Sequence, residues 1–228
     1  MEIDLKIEKL NQIYDLFDSY AKKQDLACKR QCATCCTCNM TLTTLEGLKI
    51  ISNLDASQKD TFMQRIQKAA GQERYQPKIS TNQMARICMD GGNIPDEVID
   101  PIWGHCPLLV HQECPIYPLR PFGCRCMMSR RDCSRNGFAD MDEFTLTVAD
   151  LYNQFIEHLD AGGLTGNLID VLLFLDISEN LKTYQEGKPD LSGPGLIRNH
   201  PIPVLMIPPE HRLRVAPLLE PLTRICQM

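Results

Sequence analysis

The sequence predicts a mainly α-helical protein, a small helical domain with a long irregular segment organised by a cysteine metal site. Three observations predict it. Apolar residues recur at spacings of three and four in several separate stretches, the helical signature. Residues 90–136 show neither helical nor strand periodicity. Cysteines crowd two short stretches, Cys28, Cys32, Cys35 and Cys36 (CxxxCxxCC) and then Cys106, Cys114, Cys124 and Cys126. Of the 228 residues 43% are apolar, enough for one good core or two small ones, and the charged fraction of 23% is that of an ordinary folding chain.

The elements follow in order. From Leu5 to Leu26 the positions Leu10, Ile13, Tyr14, Phe17, Tyr20 and Ala21 form an amphipathic stripe that delivers the chain to Cys28. Thr43 and Glu46 have capping-box spacing, and Leu45, Leu48, Ile51 and Leu54 supply an apolar face, so a second helix starts just after the first cysteine motif. Ser57 can cap a third helix carrying Phe62, Met63, Ile66 and Ala70, and a short fourth runs from Thr81 to Cys88. A structureless stretch as long as 90–136 needs something other than secondary structure to order it, and a metal would serve. Beyond Gly137, Phe144, Val148, Leu151, Tyr152, Phe155 and Leu159 form a clear stripe ending at Gly162 and Gly163. Leu168, Val171, Leu172 and Leu175 carry another helix toward Gly187. A Pro/Gly-rich link, Lys188 to Pro201, precedes a tail in which Ile202 to Ile207 is too short to classify and Pro217 and Pro221 break any helix begun near Glu210. The expected division is a cysteine-cluster metal-binding region, 1–136, and a helical and Pro-rich C-terminal extension packing on it, 137–228.

The first residues, MEIDLKIEKL, lack the apolar run of a signal peptide, and no segment reaches the roughly 18 apolar residues that span a membrane. The expected compartment is the cytoplasm, with no membrane association. There thiols stay reduced, so twelve cysteines read as metal ligands before they read as disulfides. A net charge of −5 argues against nucleic-acid binding, and Arg130, Arg131 and Arg135 are too short a basic run to overturn it. The expected metal ligands are Cys28, Cys32, Cys35, Cys36, Cys106, Cys114 and Cys124. Cys126 stands even between ligand and bystander, while Cys38, Cys88, Cys133 and Cys226 read as small hydrophobes in the packing. His105 and His111 stay outside the expected set. Joining Cys124 to Cys28 closes a loop of about 95 residues at a cost of about 4 kcal/mol plus a constant. A structural zinc releases on the order of 10–16 kcal/mol, enough to offset it.

Two metals compete. Zinc takes four ligands, so these seven cysteines with His105 or His111 would complete two closed sites. A [4Fe–4S] cluster takes at most four thiolates, and CxxxCxxC is a spacing that holds three irons and leaves the fourth for a substrate or S-adenosylmethionine. The all-cysteine first motif leans toward iron–sulfur. No HExxH, Walker loop, GxGxxG or GxSxG occurs, and no catalytic residue is assigned. Arg120 and Arg125 stand even between donors to cluster sulfurs and ordinary ion pairs. Glu46 reads as a cap, and Tyr117 and Trp103 as packing that shields the site.

CxxxCxxCC followed by a glutamate on a helix, and then HCPLLVHQECPIYPLRPFGCRC, resembles the YkgJ-type cysteine-cluster proteins, described as zinc- or iron-chelating. The resemblance spans residues 28–126. It rests on Cys106-Pro107-Leu108-Leu109, Cys114-Pro115-Ile116-Tyr117, Arg120-Pro121 and Cys124-Arg125; Cys38, Cys126 and Cys133 fall outside the pattern. The flagellin lysine N-methylases look distantly similar through a comparable cluster, which would imply an enzyme. Three readings follow: a metal-binding protein holding an iron–sulfur cluster or zinc with no assigned reaction, an iron–sulfur-dependent modifying enzyme, and a zinc-stabilised module for a protein partner.

Overall fold

The computed structural model describes residues 2–28, 31–98, 103–188 and 191–227. Lys29 and Arg30 of the first cysteine motif, 99–102 of the irregular segment and 189–190 of the Pro/Gly link lie outside the described residues. The described chain is mainly helical, with ten α-helices and one small antiparallel sheet. No described helix is long and apolar enough to cross a membrane.

Helix α1 (Glu2–Ala21) buries Leu10, Ile13, Tyr14 and Phe17, one stripe of a helical wheel. It stops short of Leu26 because Lys22, Lys23, Gln24 and Asp25 offer the core no apolar side chain. Strand β1 (Thr41–Thr43) leads into α2 (Thr44–Ser52), where Thr43 and Glu46 form the expected capping box. Helix α3 (Ala56–Lys68) is capped by Asp55 rather than Ser57. The Asp55 carboxylate accepts from the Gln58 N–H at 2.8 Å, and the Gln58 side chain accepts from the Asp55 N–H at 3.1 Å. Helix α4 (Thr81–Met89) starts at a Ser80 cap.

The described residues of the irregular segment include a 3₁₀ turn at Tyr117–Leu119 and two single-turn helices, α5 (Phe122–Arg125) and α6 (Cys133–Asn136). Helix α7 (Glu143–Leu159) follows, then β2 (Leu164–Asn167) and α8 (Leu168–Asp176). The single run expected toward Gly187 is two helices: Ile177 is extended, and α9 (Ser178–Gln185) begins after it. Asn180 Nδ2 donates back to the Phe174 carbonyl at 3.1 Å and ends α8. Strand β3 (Leu196–Arg198) completes the sheet in the order β1-β2-β3, with Thr41 opposite Asn167 and Leu164 opposite Arg198. Contrary to expectation, α10 (Arg212–Cys226) continues through Pro217 and Pro221. Val215 and Leu222 are fully buried against the second core, and that burial holds the helix where its own hydrogen bonds are missing.

Two cores result. One joins α2 and α3 to α8 through Leu48, Ile50, Phe62, Met63, Ile66, Ile169 and Leu172. The other joins α1, α7 and α10 around Phe17, Phe122 and Tyr152, whose rings meet edge-on at 4.7 and 5.2 Å and stacked at 5.7 Å. Each core draws residues from before and after position 136. Helix α2 lies between the cores, and Gly47 lets it approach α8: a Cβ there would stand 2.8 Å from the Leu175 side chain.

Candidate metal centre

The two cysteine stretches meet through their backbones. Thr37 and His105 form an antiparallel bridge, the Cys38 N–H donates to the Gly104 carbonyl at 3.0 Å, and the Cys106 N–H donates to the Cys36 carbonyl at 2.9 Å. Asn167 secures the first stretch from beneath. Its side-chain amide donates to the Cys38 and Tyr75 carbonyls at 2.7 and 3.0 Å, while its Oδ1 caps α8 through the Ile169 N–H. Between Cys106 and Cys114 the chain reverses at His111 and Gln112, both in left-handed backbone, with Val110 and Glu113 exchanging both hydrogen bonds. Two consecutive positive φ values are what a two-residue hairpin of this twist requires. Gln31 Nε2 reaches Glu113 Oε1 at 3.0 Å, so the first stretch also touches the hairpin.

Two buried groups set the position of Cys124. Glu46 does more than cap α2. Its Oε2 accepts from the Thr43 N–H and hydroxyl at 2.8 and 3.1 Å, and its Oε1 accepts from the Tyr14 hydroxyl at 2.6 Å and the Phe122 N–H at 2.7 Å. It therefore fixes the start of α5, two residues before Cys124. Arg125 binds Asp18 at 2.9 Å and donates to the Arg120 and Pro118 carbonyls at 2.9 and 2.6 Å, gripping the loop ahead of Cys124. Of the two readings of Arg125, the ordinary ion pair is the one seen. Gly123 eases this approach, since a Cβ there would lie 3.0 Å from the Thr41 carbonyl of β1, tighter than an ordinary contact.

All twelve cysteines are free thiols, and they sort into an inner and an outer set. Burial first, and then the nearby thiols of Cys106, Cys114 and Cys126, push the Cys124 thiol well above the ordinary range. Burial likewise raises Cys114, and raises Cys106 to about 11. Cys35 is raised foremost by a hydrogen bond with the Cys36 thiol and then by burial. Arg120 opposes the rise at Cys35, Cys114 and Cys124, sulfurs of both stretches. Outside this group, Cys28 accepts from the Ser129 N–H at 3.3 Å, and Cys32, raised by burial, has Cys133, Cys35 and Cys28 as its sulfur neighbours. Cys126 is buried, raised to about 12 by burial, and its thiol donates to the Gly123 carbonyl at 3.4 Å.

Several expectations change. Cys88 is exposed at the end of α4 rather than packed, whereas Cys133 is buried as expected. Tyr117 is exposed and covers Arg120 rather than the sulfurs, its ring 3.9 Å from the guanidinium. His105 and His111 are exposed. Beside the second stretch, a groove of 260 Å³ is lined by Leu54, Phe62, Arg65, Leu108, Val110 and Pro115.

Among the described residues no three Cys, His, Asp or Glu side chains are already gathered closely enough to hold an ion. The donor chemistry nevertheless fits a thiophilic metal. Sulfurs from two stretches share one backbone scaffold, burial favours the protonated thiol at Cys106, Cys114 and Cys124, and a cation relieves that penalty. The Nε of Arg120, on the loop leading to Cys124, is buried with no hydrogen-bond partner among the described residues.

A sequence profile of the family described as "CxxCxxCC: Putative zinc- or iron-chelating domain" matches residues 27–145, more than half of the chain. The chain belongs to this family. The match extends past the 28–126 on which the resemblance rests, taking in Cys133 and the start of α7. No curated protein and no solved structure matches the chain. The CxxCxxCC region thus contains the backbone bridge, the hairpin, α5 and both cysteine sets.

Proposed function

We propose that this chain is a metal-binding protein whose centre is built by thiolates of both cysteine stretches. Cys35, Cys36, Cys106, Cys114 and Cys124 are the inner ligands, and Cys28 and Cys32 extend the donor set. The observation that carries this reading is the hydrogen bond from the Cys106 N–H to the Cys36 carbonyl, with its flanking rungs, which places the two stretches side by side before any metal arrives. Because folding already closes most of the long loop, metal affinity need not repay that entropy in full.

With both histidines of the segment exposed, the donors near the junction are sulfur. An all-sulfur set suits an iron–sulfur cluster held by four thiolates, and equally a closed zinc site. The cluster would supply electron transfer or Lewis acidity; zinc would supply structural closure. The residues of this chain would present the sulfurs, bury Cys124 most deeply among them, and compensate their charge. Anaerobic purification followed by metal and sulfide analysis and a visible spectrum tests the reading. Brown protein containing iron and sulfide is the expected result, colourless protein containing zinc selects the other metal, and protein free of both overturns the proposal.

A further inference from the structure

We infer that Arg120 is a positioning residue of the metal centre, its Nε–H donating to a cysteine sulfur and its charge offsetting that of the bound thiolates. The inference rests on the metal-binding reading above. The two arginines of the RPFGCR segment differ in what they leave unused. Arg125 is engaged by Asp18, Pro118 and Arg120. Arg120 is not so engaged: its Nε is shut off from solvent and has no partner among the described residues. An N–H of a cationic group left in that state is costly, and the cost is removed when an anion appears beside it.

The group is also held in place. The guanidinium lies over the Tyr117 ring at 3.9 Å, and the Arg120 carbonyl accepts from Arg125 Nε at 2.9 Å, so both ends of the residue are fixed. It stands on the loop between Cys114 and Cys124, directly before Pro121, whose carbonyl accepts from the Cys124 N–H at 3.0 Å. A buried arginine on this loop can supply the cation that excess thiolates leave wanting, and a planar N–H donor to sulfur orients the ligand it touches.

Chelator-stripped full-length protein titrated anaerobically with cobalt(II) provides the test, because sulfur-to-cobalt charge-transfer absorption reports thiolate ligation directly. Arg120→Met is expected to bind the same number of cobalt ions about 10–100-fold more weakly, with a shifted charge-transfer band. Arg120→Lys, which keeps the charge and loses the planar donor, is expected to fall between. Metal-free Arg120→Met is expected to melt close to metal-free wild type, since it loses the stacking on exposed Tyr117 but also removes a buried, unpaired N–H. Wild-type affinity and spectrum in Arg120→Met would overturn the inference, as would a drop in metal-free stability large enough to explain the weaker binding. A wild-type chain that takes up no cobalt would instead overturn the metal reading on which the inference stands.

Discussion

In the proposed centre, thiol protonation governs metal uptake. Burial raises Cys106 to about 11 and lifts Cys114 and Cys124, while the Cys36 contact lifts Cys35, so these thiols carry protons in the metal-free protein at neutral pH. Each must lose its proton to coordinate. Since raised values favour the protonated form, apparent metal affinity rises with pH, by about tenfold per pH unit for each thiol deprotonated on binding. Metal titrations at several pH values between about 6 and 8 should give that steep positive slope, and a flat profile would contradict the ligand set. Glu46 is the second residue to test. Glu46→Gln turns an amide donor toward groups that are themselves donors, and the expected loss is about 2–4 kcal/mol in urea unfolding, with weaker metal binding because α5 is released. An unchanged urea midpoint would show that the four hydrogen bonds contribute nothing. The cap role of Glu46 was legible from Thr43 three residues earlier. Its bonds to Tyr14 and Phe122 were not, because they cross 32 and 76 positions of chain. The orphaned Nε of Arg120 was hidden for the same reason.

At the scale of elements, the long amphipathic helices were legible because periodicity and caps agreed: α1, α2 and α7 lie where their stripes predict, apart from the early end of α1. The three strands were not legible, being three or four residues long, too short for alternation to register. The break at Ile177 carries no Pro or Gly, and only the Asn180 side chain marks it. Pro217 and Pro221 pointed the wrong way because local rules do not see tertiary burial, which at Val215 and Leu222 outweighs two missing hydrogen bonds. The exposed Pro217 therefore sits in α10 at a cost. Pro217→Ala restores an N–H for the Leu213 carbonyl, and a stabilisation of about 1–2 kcal/mol is expected after allowing for the stiffer unfolded chain of the wild type. Thermal unfolding measures it, and a lower melting temperature would show that the ring, not the helix, is what packs.

The whole molecule is held by contacts between its sequence halves. Helix α8 packs on α2 and α3, α7 and α10 pack on α1, and β2 lies between β1 and β3. Asp160, fully buried, binds the Thr44 hydroxyl at 2.8 Å, the Tyr184 hydroxyl at 2.6 Å and the Asn199 amide at 2.9 Å, tying α2, α9 and the approach to α10 to one carboxylate. Neither half buries a core alone. A single cooperative unfolding transition is expected, with far-UV and near-UV circular dichroism coinciding, and two separate transitions would contradict the shared cores. The sequence could announce two clusters of cysteines in the pattern of a zinc- or iron-chelating family. It could not announce that the irregular segment is also held by a carboxylate, an arginine and a hairpin, since those depend on which helices pack together.

The central claim is that sulfurs of two distant stretches serve one centre, and paired substitutions address it directly. Metal content is measured anaerobically in Cys35→Ser/Cys36→Ser and, separately, in Cys114→Ser/Cys124→Ser, each against wild type. The account predicts that either pair removes the same metal, because neither stretch holds it alone. Full metal retention in either variant, with its fold intact, would contradict it.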